Sequence, residues 1–147
     1  MSKLKIIHVD NKSKFNDFLD LYRETQTSKP NENIIKQLEI DFFKNKLFKL
    51  IVGYNNLEVV GFIIFIDSYS STYAKKTCYI EEFYIKNELQ NQGFGRQLFQ
   101  YVIDYTKKND YLRIEWSTQK NNQKAIDFYK KYNSDNEWLF YKFDINK

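Results

Sequence analysis

An apolar stretch, "TCYIEEFYI" (Thr77 to Ile85), runs through a short polar loop into a stripe of apolar residues at helical spacing: Phe94, Leu98, Tyr101, Val102 and Tyr105. Two of the chain's four glycines, Gly93 and Gly95, sit at the junction. A strand, a glycine loop and an amphipathic helix in direct succession leave few folds open. The first turn of such a helix presents N–H groups without intrahelical partners at the positive end of the helix dipole, so the junction suits an anion. Taken alone, a Gly-x-Gly pair also reads as a tight turn, and its surroundings must decide. Arg96 and Gln97 follow where a triphosphate-binding loop requires Lys and Ser or Thr. Leu98 stands where the dinucleotide fingerprint places its third glycine, so that loop is excluded too.

The rest of the chain frames this unit. "LKIIHV" (Leu4 to Val9) reads as a strand, followed by a helix with Phe15, Phe18, Leu19 and Tyr22 on one face. A turn around Pro30 leads to a second helix carrying Ile34, Ile35, Leu38 and Phe42. "LFKLIVGY" and "LEVVGFIIFID" flank Asn55-Asn56, and because asparagine tolerates the left-handed conformation, the pair predicts an antiparallel hairpin. Beyond the glycine loop come a strand at "YLRIEWS", a helix at "NQKAIDFYKKY" and a last strand at "EWLFYKF". The order βααβββαβαβ predicts an α+β or mixed α/β fold, and 147 residues make one domain, 1–147.

Composition removes several function classes. The net charge of +4 comes from scattered lysines, with no basic block or basic-aromatic motif, so nucleic acid is not an expected partner. One cysteine, Cys78, forms no internal disulfide, and one histidine, His8, completes neither a zinc site nor a histidine-based triad. No metal is expected. The longest apolar run, "VVGFIIFI", is too short to span a bilayer, and the polar start lacks a signal-peptide core, so the reading is a cytoplasmic protein with no membrane partner. Cys78 itself reads as a buried apolar residue rather than a nucleophile.

The loop "QNQGFG" (Gln90 to Gly95) resembles the Q/R-x-x-G-x-G/A signature of the GCN5-related N-acetyltransferases (GNAT), and it lies between a strand and a helix as that family requires. Downstream, "WSTQKNNQKAIDFY" is similar to the family's second signature, with Asn122 three residues before Ala125 on a helix that carries Tyr129. Upstream, "DSYSST" and "YIEEFYI" look like the bacterial small-molecule branch, the acidic pair echoing diamine acetyltransferases. These matches run in order from Leu57 to Phe143, while the first fifty residues contribute only a strand-helix-helix pattern.

The resemblance implies a central, mostly antiparallel sheet with a splayed parallel pair, flanked by about four helices. It implies acetyl-coenzyme A as cosubstrate, with its pyrophosphate on the N–H groups of Asn91, Gln92, Gly93, Phe94, Gly95 and Arg96 beside Gln90. The pantetheine arm would pair like a strand with the backbone of Phe83, Tyr84 and Ile85. Asn122 and Ala125 would contact the cofactor, and Asn122 is also a plain helix cap. Asn91 stands where the family often has glycine, and Asn133 replaces the usual glycine after the last helix, where it can take a left-handed cap.

Acetyl transfer to an amine needs a neutral nucleophile and an acid for the departing thiolate. The resemblance casts Tyr129 as that acid; otherwise it is one of several packing tyrosines. It points to the carboxylate nine residues before Gln90, which is Glu81, as the group that binds or deprotonates the amine, with Glu82 next in rank. On a regular strand the two would face opposite sides, so one is structural. The resulting expectation is direct transfer to a primary amine of a small molecule, with a protein amine or a non-catalytic coenzyme A sensor as alternatives. The apolar last strand could support a homodimer.

Overall fold

The computed structural model describes residues 2–26, 30–132 and 134–146. The elements are β1 (Lys5–His8), α1 (Lys12–Thr25), α2 (Glu32–Phe43), β2 (Lys49–Asn55), β3 (Glu58–Ser70), β4 (Lys75–Ile85), a 3-10 turn (Asn87–Leu89), α3 (Phe94–Lys108), β5 (Ile114–Trp116) and α4 (Gln123–Lys130). They form a mixed α/β fold around one sheet of order β1-β2-β3-β4-β5. The first three pairings are antiparallel. The last is parallel, with Leu112 N–H donating to Lys76 O at 2.8 Å and Cys78 N–H to Arg113 O at 2.9 Å. The chain divides into two compact units, Met1–Glu115 and Trp116–Lys147.

Alternation along the strands sorts the first unit's core into two faces. Leu50, Val52 and Tyr54 of β2, with Phe62 and Ile64 of β3, bury against Phe15, Phe18, Leu19 and Leu21 of α1 and Ile35 and Phe42 of α2. The opposite face receives α3, where Phe99 stacks on Phe83 and Tyr105 meets Phe65 edge-on. Here Gly53 and Gly61 pair directly across β2 and β3. A Cβ at Gly53 would meet Leu98 Cδ2 at 3.0 Å and one at Gly61 would meet Leu98 Cδ1 at 3.2 Å, so the missing side chains let α3 lie close to the sheet. Cys78 is fully buried, as its sequence context suggests, and burial pushes its thiol up to about 12.

Turns follow their sequence signals. In the β2–β3 hairpin Asn56 adopts a left-handed φ of 55°, the conformation asparagine tolerates best after glycine. α1, α2 and α4 each begin on an asparagine whose side chain accepts a backbone N–H: Asn11 from Lys14, Asn31 from Asn33 and Asn122 from Ala125. α3 begins on Gly93, which has no side chain to offer.

One expected element is absent. Residues 137–143 form no strand, since strand composition does not by itself supply the neighbour that completes a ladder. Asn133, read as a left-handed cap, lies outside the described residues. Among the described residues no helix is long and apolar enough to cross a membrane.

Candidate active site

The site in the first unit is built from β4, the loop after it and the start of α3. β4 is not regular. Ile64 of β3 pairs with Glu82, but the next residue, Phe65, pairs with Ile80, so Glu81 is an inserted residue and β4 bulges there. Strict alternation is interrupted at the acidic pair. Glu82 shares the face of Tyr84, whose ring meets Phe62 beneath α1. Tyr22 of α1 senses its charge. Glu81 is exposed and Glu82 half-buried. Burial raises the Glu82 carboxyl above its usual range; a hydrogen bond from Thr25 partly opposes this, and the charge of Glu81 adds to it. Tyr84 is also raised, by burial first and then by the charges of Glu24 and Glu88.

After Ile85 the loop is tied down from within. Lys86 N–H donates to Val60 O at 2.9 Å, and the Gln90 side chain donates to Ile85 O and Asn87 Oδ1, both at 3.2 Å. Gln92 donates to Glu88 O at 3.3 Å. Asn91 takes a left-handed φ of 61° and Gly93 one of 82°. Asparagine therefore serves at the first of these turns without glycine, whereas Gly93 both turns the chain and opens α3. The first backbone bond of the helix runs from Gln97 N–H to Gly93 O. The N–H groups of Phe94, Gly95 and Arg96 precede it, and no side-chain cap reaches them from Gly93. This uncapped end is what a pyrophosphate cradle needs.

α3 is also anchored to the chain's beginning. Gln97 accepts from Leu4 N–H at 2.8 Å and donates to Ser2 O at 2.9 Å.

In the second unit, Asn122 caps α4 by accepting from Ala125 N–H at 3.2 Å. Tyr129 lies 4.7 Å ring to ring from Trp116 and 5.3 Å from Phe128. Burial alone pushes its hydroxyl up to about 12, so it stays protonated at neutral pH. Its carbonyl accepts from Ser134 Oγ at 3.2 Å. Asn122, Ala125 and Tyr129 thus fall one turn apart on a single short helix, as their spacing requires.

The structure groups Glu81, Glu82, Phe83, Tyr84, Ile85 and the Gln90 to Arg96 loop in consecutive elements of one unit. Sequence reading missed two features. The bulge at Glu81 is a property of pairing with β3 and leaves no mark within β4. The neighbours of Glu82, Tyr22 and Thr25, sit at the end of the α1 stripe, and the signal for them was the continuation of that stripe past Phe18. Among the described residues no group of three or more His, Cys, Asp or Glu could hold a metal ion.

A strand that bulges at an acidic pair and runs through a loop into an uncapped, glycine-started helix is a strand-loop-helix unit suited to an anionic group. The chain belongs to the acetyltransferase (GNAT) family, which residues 14–133 match. It is 35% identical over 75 residues to the L-ornithine N5-acetyltransferase NATA1 of Arabidopsis thaliana, a match covering 51% of this chain and 33% of that enzyme's length. Among solved structures, a probable acetyltransferase superposes with a TM-score of 0.84 at 19% identity, covering 97% of this chain and 99% of the other. An aminoglycoside acetyltransferase from an uncultured soil metagenomic sample superposes with a TM-score of 0.78 at 17% identity, covering 97% of each chain.

Proposed function

We propose that this chain is an acetyl-coenzyme A-dependent N-acetyltransferase acting by direct transfer on a primary amine of a small, cationic molecule. The observation that carries the reading is the half-buried Glu82 at the β4 bulge, on the strand that leads into the uncapped start of α3. The match to the GNAT family and the partial likeness to an ornithine acetyltransferase support it.

Acetyl-coenzyme A would supply the activated acetyl group as a thioester. The N–H groups of the loop and of Phe94 to Arg96 would hold the pyrophosphate; each such charge-assisted bond contributes on the order of 1.5–3 kcal/mol. The backbone of Phe83 to Ile85 would pair with the pantetheine arm. An amine at neutral pH is almost wholly protonated, and only its neutral form attacks. A carboxylate held above its usual pKa attracts the ammonium and accepts its proton, directly or through water, more readily than an exposed one. Glu82 has that environment, with Glu81 adjacent to add negative charge. Tyr129, protonated at working pH, would donate to the leaving thiolate.

The test is acetyl-coenzyme A-dependent thiol release with polyamines, amino acids and aminoglycosides as acceptors. Wild type should turn over diamines or ornithine-like amines. Glu82→Gln, which keeps size and hydrogen bonding, should lower kcat/KM by roughly 10²–10⁴-fold. Glu81→Gln should do less. Equal, small effects at both positions would remove the carboxylate from the mechanism, and release with no amine above background would favour a coenzyme A-binding sensor.

A further inference from the structure

The helix start that the acetyltransferase reading gives to the cofactor is the least self-supporting part of α3. Gly93 stands at the cap position with a left-handed φ of 82° and offers no side chain to the first turn. Gly95 follows two residues later, and glycine has the most backbone freedom to lose in a helix. A first turn with unpartnered N–H groups and no cap frays. The openness that admits an anion therefore removes the devices that usually keep such a turn formed.

Support reaches this turn from another part of the chain. Gln97 is half-buried, and its backbone N–H bonds to Gly93 O at 3.2 Å. Its side-chain oxygen accepts from Leu4 N–H at 2.8 Å, and its side-chain nitrogen donates to Ser2 O at 2.9 Å. The carboxamide thus satisfies a donor and an acceptor two residues apart, as a neighbouring strand would. Among side chains of that length only glutamine carries both at neutral pH. The segment it holds is itself seated: Leu4 is buried, and its Cδ1 and the end of Leu98 both lie over Gly53 of β2. β1 begins at the next residue, Lys5.

We propose that Gln97 is a positioning residue for the cofactor: by tying the first turn of α3 to the backbone of residues 2–4, it holds the N–H groups of Phe94, Gly95 and Arg96 ready for the pyrophosphate. The proposal rests on the cofactor reading given above. Both polar atoms of the Gln97 side chain are engaged by Ser2 and Leu4, so its effect passes through the turn that it braces. A turn already held in its binding conformation has less entropy to lose when the ligand arrives. The effect therefore falls on cofactor binding and not on the transfer step.

The experiment compares wild type with Gln97→Met, which keeps the length of the side chain and removes both hydrogen bonds. In the ligand-free protein, hydrogen exchange followed by NMR should quicken roughly tenfold at the amides of Gln97, Leu98 and Phe99, while Val102 and Thr106 later in the helix exchange as slowly as in wild type. The Kd for acetyl-coenzyme A by calorimetry and its KM in the thiol-release assay should both rise roughly tenfold, with kcat at saturating cofactor within about twofold of wild type. A residue with a purely structural role would lower the melting temperature without that split between KM and kcat. Unchanged exchange at the first turn would overturn the proposal, and so would faster exchange with unaltered cofactor affinity. Wild type that binds no acetyl-coenzyme A would overturn the cofactor reading and the positioning role with it. The exchange measurement, which uses no ligand, tells that failure apart from a failure of Gln97 to brace the turn.

Discussion

Replacing Gly61 by alanine tests how the sheet holds the site. Gly61 pairs with Ile85 at the end of β4. A Cβ there would fall within the contact radius of the Tyr84 carbonyl oxygen, 2.6 Å from Ile85 Cδ1 and 3.2 Å from Leu98 Cδ1. The two leucine and isoleucine methyls can rotate away, but a backbone carbonyl cannot. β3 and β4 must part by on the order of 1 Å to restore ordinary contact. That would stretch the neighbouring Lys86 N–H to Val60 O bond, now 2.9 Å, beyond hydrogen-bonding length. Overpacking costs about 1–3 kcal/mol and the lost bond about 0.5–1.5 kcal/mol. Stiffening the unfolded chain returns about 0.4–1 kcal/mol, so the net loss centres on about 2.3 kcal/mol.

At roughly 2–4 °C per kcal/mol for a domain of this size, Tm should fall by about 5–10 °C. Gly53→Ala is the matched control. Its new Cβ would meet only the ends of Leu98 and Leu4, at 3.0 and 3.1 Å, and flexible side chains can yield. Scanning calorimetry of both variants should give a much smaller loss for Gly53→Ala. Binding of acetyl-coenzyme A should weaken for Gly61→Ala as well, since the displaced carbonyl belongs to the strand end proposed to meet the pantetheine arm. Equal shifts for the two variants, or a Gly61→Ala protein as stable as wild type, would refute the reasoning that backbone contact at Tyr84 sets the spacing of β3 and β4.

Gly95→Val should abolish acetyl-coenzyme A binding by calorimetry while the protein stays folded, because it fills the approach to the first turn of α3; retained affinity would separate the loop from the cofactor. Tyr129→Phe should reduce turnover by roughly 10²–10⁴-fold with cofactor affinity kept, and near-normal turnover would leave Tyr129 a packing residue. Burial first, and the charge of Lys49 second, depress the pKa of His8 below 6.5. The unfolded chain then binds more protons, so this contribution to stability is present above pH 6.5 and lost as pH falls towards the folded-state value. Thermal melts from pH 8 to pH 5 should show that decline, and His8→Phe should flatten it.

What could be read in the sequence was local periodicity and turn chemistry. The stripe of Phe15, Phe18 and Leu19 marks the buried face of α1 because helical spacing is a property of the segment itself. Asn56 and the asparagine helix caps were equally local. The strand-loop-helix around Gly93 was recognisable for the same reason. Pairing was not recognisable: the bulge that makes Glu81 an insertion depends on how β4 meets β3. The family's spacing to Gln90 ranked Glu81 first, and alternation therefore could not show which carboxylate is buried. The stretch 137–143 has strand composition, yet composition does not supply a neighbour, and no strand forms there. Tyr22 and Thr25 escaped notice as neighbours of Glu82 because they lie far from it in the chain.

The placement of the α3 start follows from contacts that lie away from it. Leu98 seats over the paired glycines of β2 and β3, Phe99 stacks on Phe83 of β4, and Gln97 grips the backbone at Ser2 and Leu4. These three successive residues bind the first turns of the helix to the segment just before β1, to the middle of the sheet and to β4. The bare N–H groups at Phe94 to Arg96 are thereby fixed relative to the strand end at Ile85 before any ligand arrives. A cradle held this way loses little conformational entropy on binding, which lets the loop itself dispense with a side-chain cap. The same logic explains why the chain, rich in asparagine at its other helix starts, has glycine here. An asparagine at Gly93 would tolerate the left-handed φ. Its side chain would then compete for the N–H groups of α3 that a phosphate is proposed to use.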